Sequence, residues 1–282
     1  MMIASFLNSQ RYSVNTRDRY TRALRLWLAD FPDGGREAGS GDLLKWLSRP
    51  EWGGNHQSIL LYAIRGFLRY HFGAAHPALQ LKLKRVPAAP RKALSVEELE
   101  HLLASFDTTR EKGVRDLAMT GVFLDCALRV AEIARLEMEF LDLDKKILSV
   151  VVKGGQWSFR VFDDHTAVWL ADWLAVREVI ARPKEKAVFV AVGGIYPGKG
   201  LTPEGVKAIV KGWKEETGIQ NLHPHRFRHS YATLTTRNRA PKSVAMRGGG
   251  WLSEKVFENY VQDLGLDDVR EYLPVRGLMK FS

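Results

Sequence analysis

The stretch LKLKRVPAAPRKALS, positions 81–95, constrains the fold of this chain more than any other. Pro87 and Pro90 each remove a backbone donor and push the preceding residue out of helical conformation. No amphipathic period runs through the segment, so it reads as an extended tether. The 282 residues therefore divide into a front domain over residues 1–80, a linker over 81–95 and a larger domain over 96–282. The tether carries Lys82, Lys84, Arg85, Arg91 and Lys92, a charge pattern suited to running along a phosphate backbone.

Charge follows the same division. Residues 1–90 hold 13 basic and 6 acidic side chains, and residues 91–282 hold 29 and 26, within a formal net charge of +10. A small basic segment joined to a nearly balanced one fits a polyanion gripped by the front segment. Composition is otherwise that of a globular protein, with 45% hydrophobic and 26% charged residues. The single Cys126 excludes an internal disulfide and an all-cysteine metal site, and within VFLDCAL it reads as a small core residue. No apolar stretch reaches the ~18–20 residues of a membrane span, and MMIASFLNSQRYS lacks the early positive charge of a secretory signal. A cytoplasmic protein without membrane association is expected.

The front domain reads as helices. Asn15–Thr16 offers a cap for TRDRYTRALRLWLADF, in which Tyr20, Leu24, Trp27, Leu28 and Phe31 share one face and Gly34–Gly35 mark the end. Arg17, Arg19, Arg22 and Arg25 lie elsewhere on that helix. GDLLKWLSRP is a second helix. NHQSILLYAIRGFLRYHFG is a third, with Ile59, Tyr62, Ala63, Phe67 and Tyr70 as a buried stripe and Arg65 and Arg69 among its charges. Beyond the tether, Ser95 and Glu98 form a capping box, residues 114–127 make an apolar helix, and the period then changes. Ile147–Val152 and Trp157–Phe162 around Gly154–Gly155 read as a β-hairpin. Residues 166–181 return to helix, AVFVAV reads as a short strand, and 203–217 is helical. The fold class is mainly α with a small antiparallel β-sheet.

Four segments carry candidate chemistry. In CALRVAEIARL, Arg129 and Glu132 stand three apart, which alone is an ordinary helical ion pair. In VVKGGQW, Lys153 adjoins a glycine turn, where most lysines are simply solvated. In NLHPHRFRHSYATL, Pro224 suits a first helical turn and places His225, Arg228 and His229 on one face. Two imidazoles around a guanidinium favour an anion. Arg228 would repel a cation, which argues against a metal on His223, His225 and His229. In GGGWLSEKVFENYVQ, Trp251 and Tyr260 follow three glycines, each costing roughly 1 kcal/mol in a helix interior, and polar neighbours put Tyr260 near a surface.

The order Arg-x-x-Glu, hairpin Lys, His-x-x-Arg-His, Gly-Trp and then Tyr resembles the tyrosine recombinase, or phage integrase, superfamily over nearly the whole chain, and EIARL and GGW…NY resemble its Cre-like branch. The resemblance implies an N-terminal core-binding helical bundle and an α+β catalytic domain that cuts and rejoins DNA through a 3′-phosphotyrosine. It implies Arg129 and Arg228 on the scissile phosphate, Lys153 as acid for the leaving 5′ oxygen, His225 of the His-x-x-Arg box, Trp251 at a His/Trp position and Tyr260 as nucleophile. Glu132 and His229 support them. No cofactor and no metal are implied. The expected partner is double-stranded DNA with specific, inverted-repeat sites, bound by a homotetramer at the nucleoid, with residues 263–282 as a tail packing on a neighbouring protomer. Arg17, Arg19, Arg22, Arg25, Arg65, Arg69 and the tether cations are the expected DNA contacts. Arg226, Phe227 and the run MRGGG depart from the family pattern without removing a reacting group. Competing readings are a type IB topoisomerase-like nicking and closing enzyme, a non-catalytic DNA-binding regulator on the same fold, and a histidine-metal hydrolase.

Overall fold

The computed structural model describes residues 1–82, 92–152 and 155–261. Lys84, Arg85, Arg91, Lys153 and the tail over 263–282 lie outside the described residues. The chain forms two compact units, Met1–Ala88 and Ala89–Ser282.

In the first unit, helices α1 (Met2–Asn8), α2 (Val14–Asp30), α3 (Ser40–Leu47) and α4 (Gly54–Phe72) are followed by a 3-10 turn at Pro77–Gln80. Their core includes Phe6, Leu24, Trp27, Leu43, Trp46, Leu60, Ile64 and Phe67. The helix α1 was not expected from the sequence, and its Phe6 and Leu7 are buried. The cap of α2 is Ser13, whose hydroxyl accepts the Thr16 N–H at 3.3 Å. Ser13 holds the extended backbone that a cap needs, whereas Asn15 and Thr16 already lie in the first turn. Helix α2 stops at Asp30. Gly34 and Gly35 form the turn beyond it at φ +84° and +80°, where a Cβ on Gly35 would lie 2.4 Å from the Trp27 ring.

On α4 the expected stripe is corrected. Ala63 and Phe67 are buried and Ile59 is half-buried, but Tyr62 and Tyr70 are exposed and Leu60, Ile64 and Leu68 take the inward face. The helix carries more apolar residues than one face can hold, so periodicity leaves its rotation undetermined.

In the second unit, α5 (Val96–Ala104) starts at the Ser95–Glu98 capping box. Helices α6 (Glu111–Cys126) and α7 (Val130–Ala134) lead to the strands β1 (Leu141–Asp142), β2 (Ile147–Val151) and β3 (Trp157–Val161). Helices α8 (Asp164–Ile180), α9 (Pro203–Thr217), α10 (Pro224–Arg237), α11 (Lys242–Gly249) and α12 (Glu254–Glu258) complete the unit. The sheet is antiparallel in the order β1-β2-β3, with Leu148 opposite Arg160 and Val150 opposite Ser158.

The segment AVFVAV is not a laddered strand. It makes isolated bridges, Glu137 with Ala187 and Val190 with Gly200. The Arg177 and Trp173 side chains occupy the Ala187 and Val188 carbonyls, at 2.7 and 2.9 Å.

Phe227 stacks on Phe123 with ring centroids 5.1 Å apart and meets Trp213 edge-on. Burying it contributes about 2 kcal/mol and fixes the rotation of α10. Its neighbours Arg226 and Arg228 then project to either side of that anchor, each into buried surroundings.

Candidate active site

The site is built where α6 ends. Ala127 closes that helix in the left-handed region at φ +49°, and its carbonyl accepts Arg228 Nη1 at 2.5 Å. Arg129 then caps α7. The Glu132 carboxylate accepts both the Arg129 backbone N–H and Nη1, each at 2.8 Å. Glu132 is buried while Arg129 remains half-buried, so the carboxylate fixes the arginine and leaves part of its guanidinium accessible.

Arg228 is only 1% exposed. Its Nε and Nη2 are buried and have no hydrogen-bond partner among the described residues. Its Cζ lies 3.7 Å from the centroid of the Trp251 ring and 5.8 Å from that of Tyr260. Burial, and then repulsion by Arg129, pull its pKa down to about 10, so it is still a cation at neutral pH. Tyr260 and Glu132 oppose that shift by charge. Tyr260 is half-buried, edge-on to Trp251 at 5.1 Å and 4.3 Å from the buried His229 ring. The structure thus brings Arg129, Glu132, Arg228, His229, Trp251 and Tyr260 together.

His225 is exposed on the first turn of α10. It shares with Arg129 a groove of about 560 Å³, also lined by His223 and by Lys207, Lys211 and Lys214 of α9. That lysine stripe is a cationic wall that sequence reading did not single out. Its spacing of four and three on a helix was the available signal. Among the described residues no group of three His, Cys, Asp or Glu side chains is arranged to hold a metal ion.

The glycine run has a steric origin. A Cβ on Gly248 would meet the Tyr231 hydroxyl at 2.3 Å, and one on Gly249 the Trp251 ring at 1.8 Å. Gly250 sits at φ +69°, and its Cβ would fall 1.9 Å from Arg160 Nη2. Tyr231 stacks on Trp251 at 5.9 Å. The lost helix propensity is therefore the consequence of three bulky side chains packed against one turn. Tyr231 and Arg160 were both missed from sequence.

Of the expected DNA contacts, Arg19, Arg22, Arg25, Arg69, Lys82 and Lys92 are exposed. Arg17 and Arg65 are half-buried. Arg17 bonds the Leu7 carbonyl and Asn8, which ties α2 to α1, and Arg65 reaches the Leu81 carbonyl at 3.4 Å.

The model of the phage integrase family matches residues 92–265. The chain is 30% identical over 275 residues to tyrosine recombinase XerD of Listeria innocua serovar 6a, covering 91% of each. It is 31% identical over 195 residues to tyrosine recombinase XerC of Yersinia pestis, covering 66% of this chain and 62% of the relative. Its fold matches XerH site-specific recombinase bound to palindromic difH substrate, with TM-score 0.74, 18% identity and coverage of 91% of this chain and 78% of that one. It also matches the Tn1549 transposon integrase in complex with transposon right end DNA, with TM-score 0.75, 14% identity and 96% of each chain covered.

Fold and relatives together define a class of enzyme, the site-specific tyrosine recombinases, which cleave and rejoin DNA strands. Matched by that family's model over more than half its length, and by a XerD relative over nearly all of it, the chain belongs to the phage integrase family. DNA is its partner, and no helix among the described residues is long and apolar enough to cross a membrane.

Proposed function

We propose that Tyr260 is the nucleophile of this recombinase and that Arg228 and Arg129 hold the scissile phosphate. The observation that carries the reading is the pair of buried, unpartnered Arg228 donors beside the Tyr260 ring. An unsatisfied buried donor costs about 1–3 kcal/mol, and a phosphate oxygen supplies the missing acceptor. A phenol with an ordinary pKa near ~10 needs its proton removed to attack at neutral pH. His225, beside Arg129 in the cationic groove, is the assigned base. The phenolic oxygen forms a bond to phosphorus, the bond from phosphorus to the 5′ oxygen breaks, and Lys153 gives that oxygen a proton. The 3′-phosphotyrosine keeps the bond energy. A 5′ hydroxyl from another strand attacks it, which rejoins DNA without ATP. Two guanidiniums stabilise the charge that develops on the phosphoryl oxygens.

The remaining assignments follow the same logic. Arg19, Arg22, Arg25 and Arg69, with the tether cations and the Lys207–Lys214 stripe, give the sequence-independent phosphate contacts. Recombination pairs two sites, so the working form is a tetramer on inverted-repeat DNA at the nucleoid, with residues 263–282 packing on a neighbouring protomer. A nicked suicide duplex, whose cut strand cannot religate, tests the nucleophile. The parent gives a denaturant-resistant protein–DNA adduct and Tyr260→Phe gives none. Equal adduct from Tyr260→Phe rejects the assignment.

A further inference from the structure

Arg160 is the buried ionisable group that the mechanism above does not use. It lies on β3 opposite the fully buried Leu148, at a position where an aliphatic side chain is the default. It is only 1% exposed. Nη1 donates to Ser158 Oγ and to the Phe159 carbonyl, the latter at 2.9 Å. Nε and Nη2 are buried and have no partner among the described residues. Among the described residues of the second unit, five arginines are buried: Arg115, Arg160, Arg177, Arg226 and Arg228. Of these five, only Arg160 and Arg228 keep buried donors without acceptors among the described residues.

Its surroundings tie it to the site. The strongest favourable charge acting on Arg160 is the Glu132 carboxylate, and Arg129 opposes it. Nη2 lies where a Cβ on Gly250 would fall, so the guanidinium packs against the turn that carries Trp251. Trp251 in turn covers Arg228.

We propose that Arg160 is a positioning residue of the strand-transfer site, acting through Glu132 and the Gly250–Trp251 turn to keep the phosphate pocket strongly cationic. Glu132 fixes Arg129 but also offsets its charge. Arg160 adds a third guanidinium to Arg129 and Arg228, and three guanidiniums set against one carboxylate leave two positive charges in excess. Attack of a phenolate on a phosphodiester monoanion builds a phosphorane carrying two negative charges, which that excess matches. Unpaired burial of Arg160 is then a folding penalty offset when the reacting phosphate arrives.

This inference rests on the reading that Arg228 and Tyr260 take the phosphate. Its test is single-turnover cleavage of a suicide duplex carrying either the native scissile phosphodiester or a methylphosphonate, which lacks the negative charge. Arg160→Met slows phosphodiester cleavage roughly 10- to 30-fold. On the methylphosphonate it stays within about threefold of the parent, because the charge it serves is gone. Arg160→Lys, which keeps the cation, stays within about threefold of the parent on the phosphodiester. Equal slowing of Arg160→Met on both substrates, or no slowing at all, overturns the proposal. A folded Arg160→Lys as slow as Arg160→Met on the phosphodiester also overturns it, and that variant decides the matter if Arg160→Met does not fold. Failure of the parent itself to form the Tyr260 adduct overturns the underlying reading instead.

Discussion

Arg226 and Arg228 stand two residues apart on α10, and both are buried. The surroundings of Arg226 are saturated. It donates to Glu98 at 2.6 Å and to the Gln220, Ala93 and Lys92 carbonyls at 2.7, 3.0 and 3.2 Å. Arg228 has the Ala127 carbonyl and two buried donors with none. In the same helix, both buried, one guanidinium is a structural tie and the other keeps open donors, which on the proposed reading take an anion. Saturation of donors, rather than burial or charge, separates the two roles.

The comparison breaks down if the two arginines respond alike to the same substitution. Arg228→Met lowers single-turnover cleavage by about 10³-fold, as loss of a donor to developing charge does elsewhere. Its thermal stability is unchanged or raised, because an apolar side chain replaces an unsatisfied cation. Arg226→Met behaves in the opposite way. It costs about 3 kcal/mol, because Glu98 and three carbonyls lose their donor together, and urea denaturation reads that loss while the cleavage rate of the folded fraction stays near the parent's. A smaller effect sharpens the picture. Gly250→Ala costs about 2 kcal/mol, from a left-handed backbone and a Cβ driven into Arg160. A melting temperature equal to the parent's would show that the turn relaxes freely away from Arg160.

Much of this was legible in the sequence, for reasons that can be named. The Ser95–Glu98 box starts a helix because two backbone donors are satisfied reciprocally. The valine-rich run around Gly154–Gly155 gives the hairpin β2–β3. Pro224 starts α10, which presents Arg228 and His229 inward while His225 stays exposed.

What was illegible depends on tertiary packing. The segment WSFRVF alternates the apolar Trp157, Phe159 and Val161 with polar residues, a pattern that does not say which set faces the core. The structure exposes all three and buries Arg160. The register opposite Leu148 and Val150 decides the facing, and a one-residue slip would reverse it. The exposure of Tyr62 and Tyr70, and the capture of the Ala187 and Val188 carbonyls by side chains, likewise depend on neighbours distant in sequence. The glycine run was visible as a departure from pattern. Its cause, the packing of Tyr231, Trp251 and Arg160 on one turn, was not.

Two tyrosines border the Trp251 ring, Tyr260 edge-on and Tyr231 stacked. Protease digestion of the trapped protein–DNA adduct, followed by mass spectrometry of the DNA-linked peptide, distinguishes them. A single peptide is expected, with Tyr260 esterified to a 3′ phosphate. A linkage at Tyr231, or a tyrosine joined to a 5′ phosphate, would contradict the Tyr260 assignment.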